Sequence, residues 1–461
     1  MNDLPTEITS IILNLLDFKS LIRFIFTSKI NKYLLEYWVI TQKIYVNKKV
    51  LEWPYYDNLS YIIIDELLEN YPKKLQKLQF NNGFNEFIQE YELPKITYLI
   101  FGHNFNQLVD KCIPTSVKYL TFGYHFNQSV DKLPSSIESI KFGEKFDQKV
   151  DNLPLSIKNI EFGWNFNQTV DNLPLSIKKI EFGFYFDQIV DNLPSLIKSI
   201  VFGSNFDRTV DKLPSSVKNI KFDCFFNQSV DKLPSSVKNI KFGRCFNQLV
   251  DKLPLSVKNI KFDRYFNQSL DRLPSSVKSI KFGHEFNQSV YKLPSSIKSI
   301  KFGHNFNQSV DKLPSSIKSI KFGDCFDQSV DNLPSSIKRI KFGHNFNQSI
   351  KKLPSTVTHL TLGKCFRKSF KDVPMTITHL NINRCNGKIP ERITHLTMYS
   401  LLYKEENIPQ SVTHLTIKGE HVFNIEIPET VIHLTLDTLE KVKVPETITT
   451  LIVAGKKIDR K

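Results

Sequence analysis

Five histidines recur once per repeat toward the carboxyl end of the chain, and imidazole is a side chain that binds metals and titrates near neutral pH. They are His359, His379, His395, His414 and His433, each five residues after a proline. A metal site would need ring nitrogens that converge on one ion at about 2.0–2.1 Å, and a straight row supplies poor geometry for this. We therefore expect no metal site. We expect the histidines to stack as an exposed row, and we interpret the row either as solvated polar residues or as a partner surface that responds to pH.

Lysine forms a second row, because one lysine stands between two apolar residues in each of seven successive repeats. The members are Lys221, Lys241, Lys261, Lys281, Lys301, Lys321 and Lys341. Like charges about 5 Å apart repel, so such a row must be solvated, neutralised or functional. An acidic row, spaced every twenty residues from Asp131 to Asp271, lies in another part of each repeat. We do not expect it to neutralise the lysines.

Three interpretations of the lysine row stay open. It could bind an acidic protein segment, it could bind nucleic acid, or it could be a surface position copied along with the repeat. Nucleic acid is the weakest of the three, because stacking of bases needs exposed aromatic rings on the same face and none are interleaved there. Binding to nucleic acid would also weaken steeply as the salt concentration rises.

Motifs of known catalysts are missing from the sequence. We find no glycine-rich phosphate loop, nucleophile elbow, His-Glu-x-x-His motif or paired carboxylates outside the repeats. The six cysteines, at positions 112, 224, 245, 325, 365 and 385, form no Cys-x-x-Cys pair and are interpreted as reduced thiols. We therefore expect a protein that is not an enzyme and binds no cofactor.

Composition narrows the class of protein further. The formal charge of +16, from 62 Lys and Arg against 46 Asp and Glu, is a sign of an anionic partner. No apolar run approaches the length of a membrane span, and the chain begins Met-Asn-Asp without a basic stretch, so we expect neither a span nor a signal peptide. An intracellular, cytoplasmic protein without a membrane partner is predicted.

A tandem repeat sets the positions of all these residues. Proline returns every twenty residues from Pro94 to Pro374, within the motif Leu-Pro-Ser-Ser-Ile-Lys-Ser-Ile-Lys-Phe-Gly-x-x-Phe-Asn-Gln-Ser-Val-Asp-Lys. The apolar positions of one copy are Leu313, Ile317, Ile320, Phe322, Phe326 and Val330. The alternation of Ile320, Lys321 and Phe322 predicts one short strand, and Gly323 predicts a turn where a side chain would obstruct. Too few residues remain for a helix.

A single copy cannot fold alone. Burial of about six apolar side chains contributes roughly 1.5–3 kcal/mol each, whereas ordering about twenty residues costs on the order of 1–2 kcal/mol apiece in backbone entropy. Stacking of copies supplies the missing burial and the hydrogen bonds between strands, so the repeats must fold as an array of about twenty coils.

The repeat resembles the FNIP repeat, which occurs in social amoebae and in giant DNA viruses of amoebae and belongs with the leucine-rich-repeat-like solenoids. The resemblance covers about Tyr71 to Val453 and rests on Phe-Asn-Gln, Leu-Pro-x-Ser and Ile-x-x-Ile-x-Phe-Gly, which recur in phase. It implies a mostly β repeat solenoid with short coils of about 20 residues. We predict a linker and cap at 44–70, the solenoid at 71–373, and divergent repeats with a carboxyl-terminal cap at 374–461.

Residues 1–43 carry a different pattern, which predicts three small helices. The segment resembles an F-box, with the order Leu-Pro-x-Glu, Ile-Leu-x-x-Leu, leucine and Ser-Lys, ending at Ser28 and Lys29. In that family this face binds a Skp-type adaptor, which joins a cullin-based ubiquitin ligase. The resemblance implies that the adaptor-binding residues are Leu4, Pro5, Glu7, Ile8, Ile12, Leu13, Leu16 and Leu21. The alternative is that the helices only cover the first coil.

Two functions are therefore weighed. The first is a substrate-recruiting adaptor of a Skp/cullin/F-box ubiquitin ligase whose repeats capture a protein target through the lysine and histidine rows. The second is a ligase-independent scaffold that binds an acidic protein or nucleic acid. If the protein is viral, the adaptor and the cullin belong to the host.

Overall fold

The computed structural model describes residues 40–458, apart from 42, 384–386, 400–407, 420–425 and 439–441. The chain divides into two compact units, of which unit 1 ends at Asp223 and unit 2 begins at Cys224. Each unit is a stack of short coils that contribute one strand apiece to a parallel sheet. The three predicted helices of residues 1–43 fall almost entirely outside the described residues.

Unit 1 starts its sheet ahead of the regular repeats. Its strands are β1 (Ile44–Tyr45), β2 (Tyr61–Ile64), β3 (Lys77–Phe80), β4 (Tyr98–Ile100), β5 (Tyr119–Thr121), β6 (Ser139–Lys141), β7 (Asn159–Glu161), β8 (Lys179–Glu181), β9 (Ser199–Val201) and β10 (Asn219–Lys221). A four-residue helix, α1 (Lys48–Leu51), begins where the Asn47 side chain accepts a hydrogen bond from the Val50 N–H. A 3₁₀ turn follows at Tyr56–Asn58. The segment 44–70 therefore contributes two strands to the sheet.

Unit 2 continues the same coil design and ends in a hairpin. Its strands are β11 (Asn239–Lys241), β12 (Asn259–Lys261), β13 (Ser279–Lys281), β14 (Ser299–Lys301), β15 (Ser319–Lys321), β16 (Arg339–Lys341), β17 (His359–Thr361), β18 (His379–Asn381), β19 (His395–Tyr399), β20 (His414–Lys418), β21 (His433–Leu436), β22 (Thr450–Val453) and β23 (Lys456–Ile458). A 3₁₀ turn lies at Phe370–Asp372. Strands β11 to β22 pair in parallel, in sequence order.

The interior of each coil is filled by the apolar positions that the sequence pattern predicts. All six positions of the copy that starts at Leu313 are buried. Phenylalanine rings stack both within a coil and between coils: the Phe302 and Phe306 centroids are 3.8 Å apart, and those of Phe306 and Phe326 are 6.0 Å apart. The solenoid prediction is confirmed. Strand β15 runs from Ser319 to Lys321, one residue earlier than the alternation of Ile320, Lys321 and Phe322 suggested. Ser319 already pairs with the neighbouring strand.

Polar side chains hold adjacent coils together outside the strands. The Asn287 carboxamide oxygen accepts a hydrogen bond from the backbone N–H of Asn307, and Asn307 accepts from Asp327 in the same way, both at 2.9 Å. In the segment before the strand, the Ser316 hydroxyl donates to the carbonyl of Ile297 at 2.6 Å. The repeated asparagines therefore form a ladder of hydrogen bonds between successive coils. They satisfy backbone groups that three-residue strands cannot reach.

Glycine after the strand is required by the close approach of the preceding coil. A Cβ at Gly323 would lie 1.6 Å from the carbonyl oxygen of Gly303, so the two backbones leave no room for a side chain there. Asp223 and Asp263 occupy this position in two coils, so the close approach is not repeated everywhere.

The last strand of unit 2 reverses direction. Ala454 and Gly455 have φ values of 48° and 78°, which suit the two central residues of a type I′ turn. The turn lets β23 pair antiparallel with β22 and places Lys456 and Lys457 in solvent. Within the described residues, no helix is both long and apolar enough to cross a bilayer.

Replacing Asn287 tests the ladder. Asn287→Ala removes the acceptor of the Asn307 N–H and should lower the free energy of unfolding by about 1–3 kcal/mol. Asn287→Asp should change it by less than about 0.5 kcal/mol, because Asp147 already accepts the equivalent bond from Asn167 at 2.8 Å. Denaturant midpoints measure both. An alanine variant as stable as the parent chain would contradict the role given to this column.

Candidate binding face

The outward face of the unit 2 sheet carries two columns of like residues. The lysine column consists of Lys241, Lys261, Lys281, Lys301, Lys321 and Lys341, which pair in register from strand to strand. Each lysine ends its strand between a buried isoleucine and a buried phenylalanine, so its side chain points away from the core. Lys221, the seventh lysine of the predicted row, ends the last strand of unit 1.

Carboxylates do not neutralise the middle of this column. In the described part of unit 2, no ion pair joins Lys281, Lys301 or Lys321 to an acidic side chain. The acidic row pairs elsewhere: Asp231 with Lys252 and Asp271 with Lys292, both at 3.0 Å. As predicted, the acidic row therefore pairs with lysines on another side of the coil.

The lysine charges disfavour one another. Burial, together with the charges of Lys321 and Lys281, lowers the pKa of Lys301 to about 8. Burial and the charges of Lys321 and Lys418 also lower the pKa of Lys341, which Asp324 partly opposes. Two unit charges about 4.8 Å apart repel by roughly 1 to 3 kcal/mol, depending on screening. An anion on this face would relieve that repulsion.

Unit 1 lacks such a column. On its strand face, Lys141 pairs with Glu161 at 2.5 Å, and Glu138 bridges Lys118 at 3.4 Å and Lys158 at 2.6 Å. The unneutralised lysines that motivate an anionic partner therefore lie on unit 2.

The histidine column continues the face after the lysines. The rings of His359, His379, His395, His414 and His433 stack with centroid distances of 4.0, 4.0, 4.1 and 4.3 Å. The predicted stack is confirmed, but the rings are half-buried rather than exposed. Neighbouring rings cover both faces of the three inner histidines, His379, His395 and His414.

Threonines hold these rings in place. The hydroxyl of Thr358 lies 2.8 Å from His359 Nδ1 and 3.3 Å from the carbonyl of Lys338 in the preceding coil. Thr394 and Thr413 make the same pair of contacts. A hydroxyl has one proton, so a threonine that donates to the carbonyl accepts from Nδ1–H and leaves Nε2 as an acceptor.

This arrangement does not converge on a metal ion. Successive rings are within 12° to 28° of parallel, so the in-plane lone pairs of their nitrogens lie in nearly parallel planes and do not meet at one ion. Across the described residues, no group of three or more histidine, cysteine or acidic side chains is placed to hold a metal. The five described cysteines form no disulfide bond, and Cys385 lies outside the described residues.

Two cavities open on the face. One, of about 280 Å³, is lined by four of the stacked histidines together with Thr361, Asn381, Thr397 and Thr416. The other, of about 360 Å³, shares Thr361 and Asn381 with it and lies among lysines. The sequence pattern missed the second cavity, because Lys364, Lys418 and Tyr399 stand outside the repeated columns and no spacing signal connects them.

The predicted adaptor-binding residues cannot be placed in the same way. Leu4, Pro5, Glu7, Ile8, Ile12, Leu13, Leu16 and Leu21 all lie outside the described residues. The lysine and histidine columns are the part of the predicted site whose geometry the structure gives.

Titration of the histidine column should weaken unit 2 at acid pH. Burial first, then neighbouring cationic or histidine side chains, lowers the pKa of His359, His379, His395 and His414. The unfolded chain then binds these protons more tightly, so stability is lost as pH falls through about 6.5. We expect the melting temperature of the double variant His379→Asn with His395→Asn to fall less between pH 7 and pH 5 than that of the parent chain.

The matched control replaces two histidines of unit 1, His103→Asn with His125→Asn. It should keep the pH dependence of the parent chain, as followed by circular dichroism. If both double variants lose the same melting temperature on acidification, the stacked column is not the source of the effect.

Comparison with known proteins agrees with this architecture. The FNIP repeat family matches at residues 92–125, 104–145, 146–185, 186–225, 226–262, 246–285, 266–303, 286–325 and 326–365. The F-box domain family matches residues 1–37. Among curated protein sequences, none matches the chain closely enough to suggest a homologue.

Solved structures extend the comparison. The chain is 33% identical to CroV588, a giant-virus protein described as a novel circular LRR protein, with a TM-score of 0.73 over 88% of this chain and 67% of that one. YopM from Yersinia enterocolitica WA-314 is 14% identical, with a TM-score of 0.43 over 84% of this chain and 88% of YopM. A leucine-rich repeat protein from Bacteroides ovatus ATCC 8483 is 12% identical, with a TM-score of 0.14 over 77% and 82%. Neither of these last two similarities is close enough to support an argument.

The tandem matches span more than half of the chain, and they coincide with the coils, ladders and strands described above. The chain therefore belongs to the FNIP repeat family, as a leucine-rich-repeat-like solenoid that follows an F-box domain.

Proposed function

We propose that this protein recruits a target to a Skp/cullin/F-box ubiquitin ligase. The observation that carries the proposal is the F-box match at residues 1–37 in the same chain as a solenoid whose lysine column has no acidic partner at Lys281, Lys301 and Lys321. The F-box match implies binding to a Skp-type adaptor, and the lysine column is suited to binding another macromolecule. F-box and repeat families are typically interaction modules, so the ubiquitin-transfer chemistry belongs to the partners.

The amino-terminal segment is proposed to bind the adaptor. By resemblance, Leu4, Pro5 and Ile8 open the apolar surface that inserts against it, and the remaining residues predicted above continue that surface. A cullin then joins through the adaptor. Ligases of this kind work inside cells, so we place the protein in the cytoplasm, which is the host's if the protein is viral.

The lysine and histidine columns are proposed to bind the target. In-register strands bring six like charges side by side, and the repulsion among them favours a partner that carries negative charge. The histidine column follows on the same outward face, so an extended segment that lies across the strands can contact both columns. Sequence-specific recognition would come from the irregular residues beside the columns.

The second candidate is a scaffold that binds an anionic partner without a ligase. The unneutralised lysines favour it as much as they favour the first candidate. Nucleic acid fits this face less well than protein does, because the lysine column of unit 2 is not interleaved with aromatic residues. The two candidates differ in whether the F-box domain binds an adaptor.

Polar changes in the F-box domain separate the two functions. The triple variant Leu4→Ser, Pro5→Ser and Ile8→Ser removes apolar surface and should reduce co-purification of Skp-type adaptor and cullin from amoebal cells at least tenfold. Quantitative mass spectrometry measures both partners. The repeats keep their sequence, so the β-sheet signal of the solenoid in the circular dichroism spectrum should be unchanged.

The matched control also changes three apolar residues to serine, at Leu155, Leu175 and Leu255. These side chains are 81%, 66% and 79% exposed, and serine stands at the same position in other coils. This control should keep the adaptor. If the F-box variant recovers as much adaptor as the parent chain does, the ligase proposal is wrong and the scaffold function remains.

A further inference from the structure

Aromatic side chains occupy the turn after the strand in several coils of unit 1. The residues that directly follow the turn glycine in five successive coils are His103, Tyr124, Glu144, Trp164 and Phe184. The coils stack closely at this turn, because the backbone N–H of Lys145 donates to the carbonyl of Tyr124 at 2.9 Å. In the next coil, the N–H of Asn165 donates to the carbonyl of Glu144 at 2.8 Å. These five side chains therefore form one column along the turns of unit 1.

The rings of this column form two stacked pairs. The centroids of His103 and Tyr124 are 4.7 Å apart, and those of Trp164 and Phe184 are 4.9 Å apart. Both distances are close to the strand spacing of about 4.8 Å. The outer ring of each pair covers one face of the inner ring, so the free faces of Tyr124 and Trp164 point toward the coil between them. Tyr124 is 37% exposed and Trp164 is 49% exposed.

A gap separates the two pairs, and a carboxylate lies at its base. Two coil spacings lie between Tyr124 and Trp164, so their rings are about 9.6 Å apart. Glu144 is the column residue of the coil between them. Its Oε2 accepts a hydrogen bond from the backbone N–H of Trp164 at 2.9 Å, which holds the carboxylate near the backbone. We call this gap, with Tyr124 and Trp164 at its sides and Glu144 at its base, the aromatic slot.

The charge of the aromatic slot favours a cation. The face of an aromatic ring is its negative side and attracts cations. Among the described residues, no lysine, arginine or histidine forms an ion pair with Glu144. The ammonium of Lys145 lies 5.8 Å from the centre of the Tyr124 ring, so a cation of the chain itself already approaches one side of the slot. Lys145 is exposed, and its side chain can move into solvent when another cation binds.

The width of the slot distinguishes among cations. A cation midway between the rings lies about 4.8 Å from each centroid, which is inside the range of roughly 6 Å for cation–π attraction. The nitrogen of a trimethylammonium group lies roughly 4–5.5 Å from a ring that its methyl groups contact, so this group touches both sides. A planar guanidinium stacked between two rings spans only roughly 7–8 Å. An unmethylated ammonium is strongly hydrated and loses that water on entering the slot.

We propose that the aromatic slot binds a trimethylated lysine side chain of a partner protein. The trimethylammonium group lies between Tyr124 and Trp164, and the Glu144 carboxylate balances its charge. Tyr185, which is 48% exposed and lies edge-on to Phe184 at 5.0 Å, extends the aromatic surface beside the slot for the residues next to the lysine.

A choline headgroup of a lipid carries the same cation. Its phosphate, however, follows the trimethylammonium group within a few bonds and would approach the carboxylate of Glu144, which repels it. The observations therefore favour a protein side chain. The slot belongs to unit 1, and its binding of a methylated lysine does not rest on the ligase function.

Fluorescence anisotropy on the full purified chain tests this proposal. The probe is a labelled pool of degenerate twelve-residue peptides with a central trimethyllysine, compared with the same pool carrying lysine. We expect the trimethyllysine pool to bind at least fivefold more tightly and tetramethylammonium chloride to compete with it. Trp164→Ala should weaken the binding at least tenfold. Glu144→Gln, which keeps the size of the side chain, should weaken it at least threefold.

The matched control is Tyr265→Ala, which removes a ring of unit 2 that is 44% exposed and has Arg264 beside it at 5.5 Å. It should change the affinity less than twofold. Lys145→Ala removes a competing cation, so the binding should stay equal or become tighter. Equal binding of the two pools, or equal weakening by Trp164→Ala and Tyr265→Ala, would overturn the proposal. Tighter binding of a pool that carries arginine would overturn it in favour of a guanidinium site.

Two further measurements separate this proposal from its neighbours. Sedimentation with phosphatidylcholine vesicles that depends on Trp164, without a preference for the trimethyllysine pool, would overturn the proposal in favour of a lipid headgroup. Adaptor co-purification should be the same for Trp164→Ala and for the parent chain, because the F-box domain at residues 1–37 is unchanged. A failure of the aromatic slot is therefore distinguishable from a failure of the ligase function.

Discussion

Hydrogen bonding between successive coils is the constraint on which this structure depends. A strand of three residues pairs only a few of the backbone groups in a twenty-residue coil. The remaining groups need partners, and side chains at fixed positions provide them. The asparagine or aspartate after the core phenylalanine accepts from the next coil, and the serine two residues after the proline donates to the previous one. The coil thus repeats its polar residues for the same reason that it repeats its apolar ones.

Because the strands pair in register, residues at the same position of successive coils form a column across the sheet. Every position of a coil lies directly against the same position of its neighbour, so identical residues become contacts. For phenylalanine this yields a stacked core, and for histidine it yields a stack that threonine hydroxyls orient. For lysine it brings like charges together, which is unfavourable without a partner. The chemistry of the surface therefore changes where one column gives way to another, as from Lys341 to Thr361.

The sequence allowed the coil, its strand and its buried positions to be predicted because period and apolar pattern determine them together. Phe322 and Phe326 could be assigned to the core from one copy of the motif. It also allowed the histidine stack to be predicted, since equal positions must align. It could not reveal that the hydroxyls of Thr358 and its equivalents contact Nδ1 of the rings, because a threonine beside a histidine has no periodic meaning of its own. The cavity among Lys341, Lys364 and Lys418 could not be predicted for a related reason. Lys418 lines it from a lengthened strand whose spacing departs from twenty residues.

The hairpin at the end of unit 2 has a consequence for how the molecule behaves at high concentration. A parallel stack whose final edge stays open offers its unpaired N–H and C=O groups to the first coil of another copy, and such addition repeats without limit. Because β23 runs the opposite way and carries the exposed lysines Lys456 and Lys457, a further coil could not continue the parallel pairing of β11 to β22 there and would meet positive charge. The reversal of one short strand thus makes this edge of the described sheet a poor template for parallel stacking of another copy.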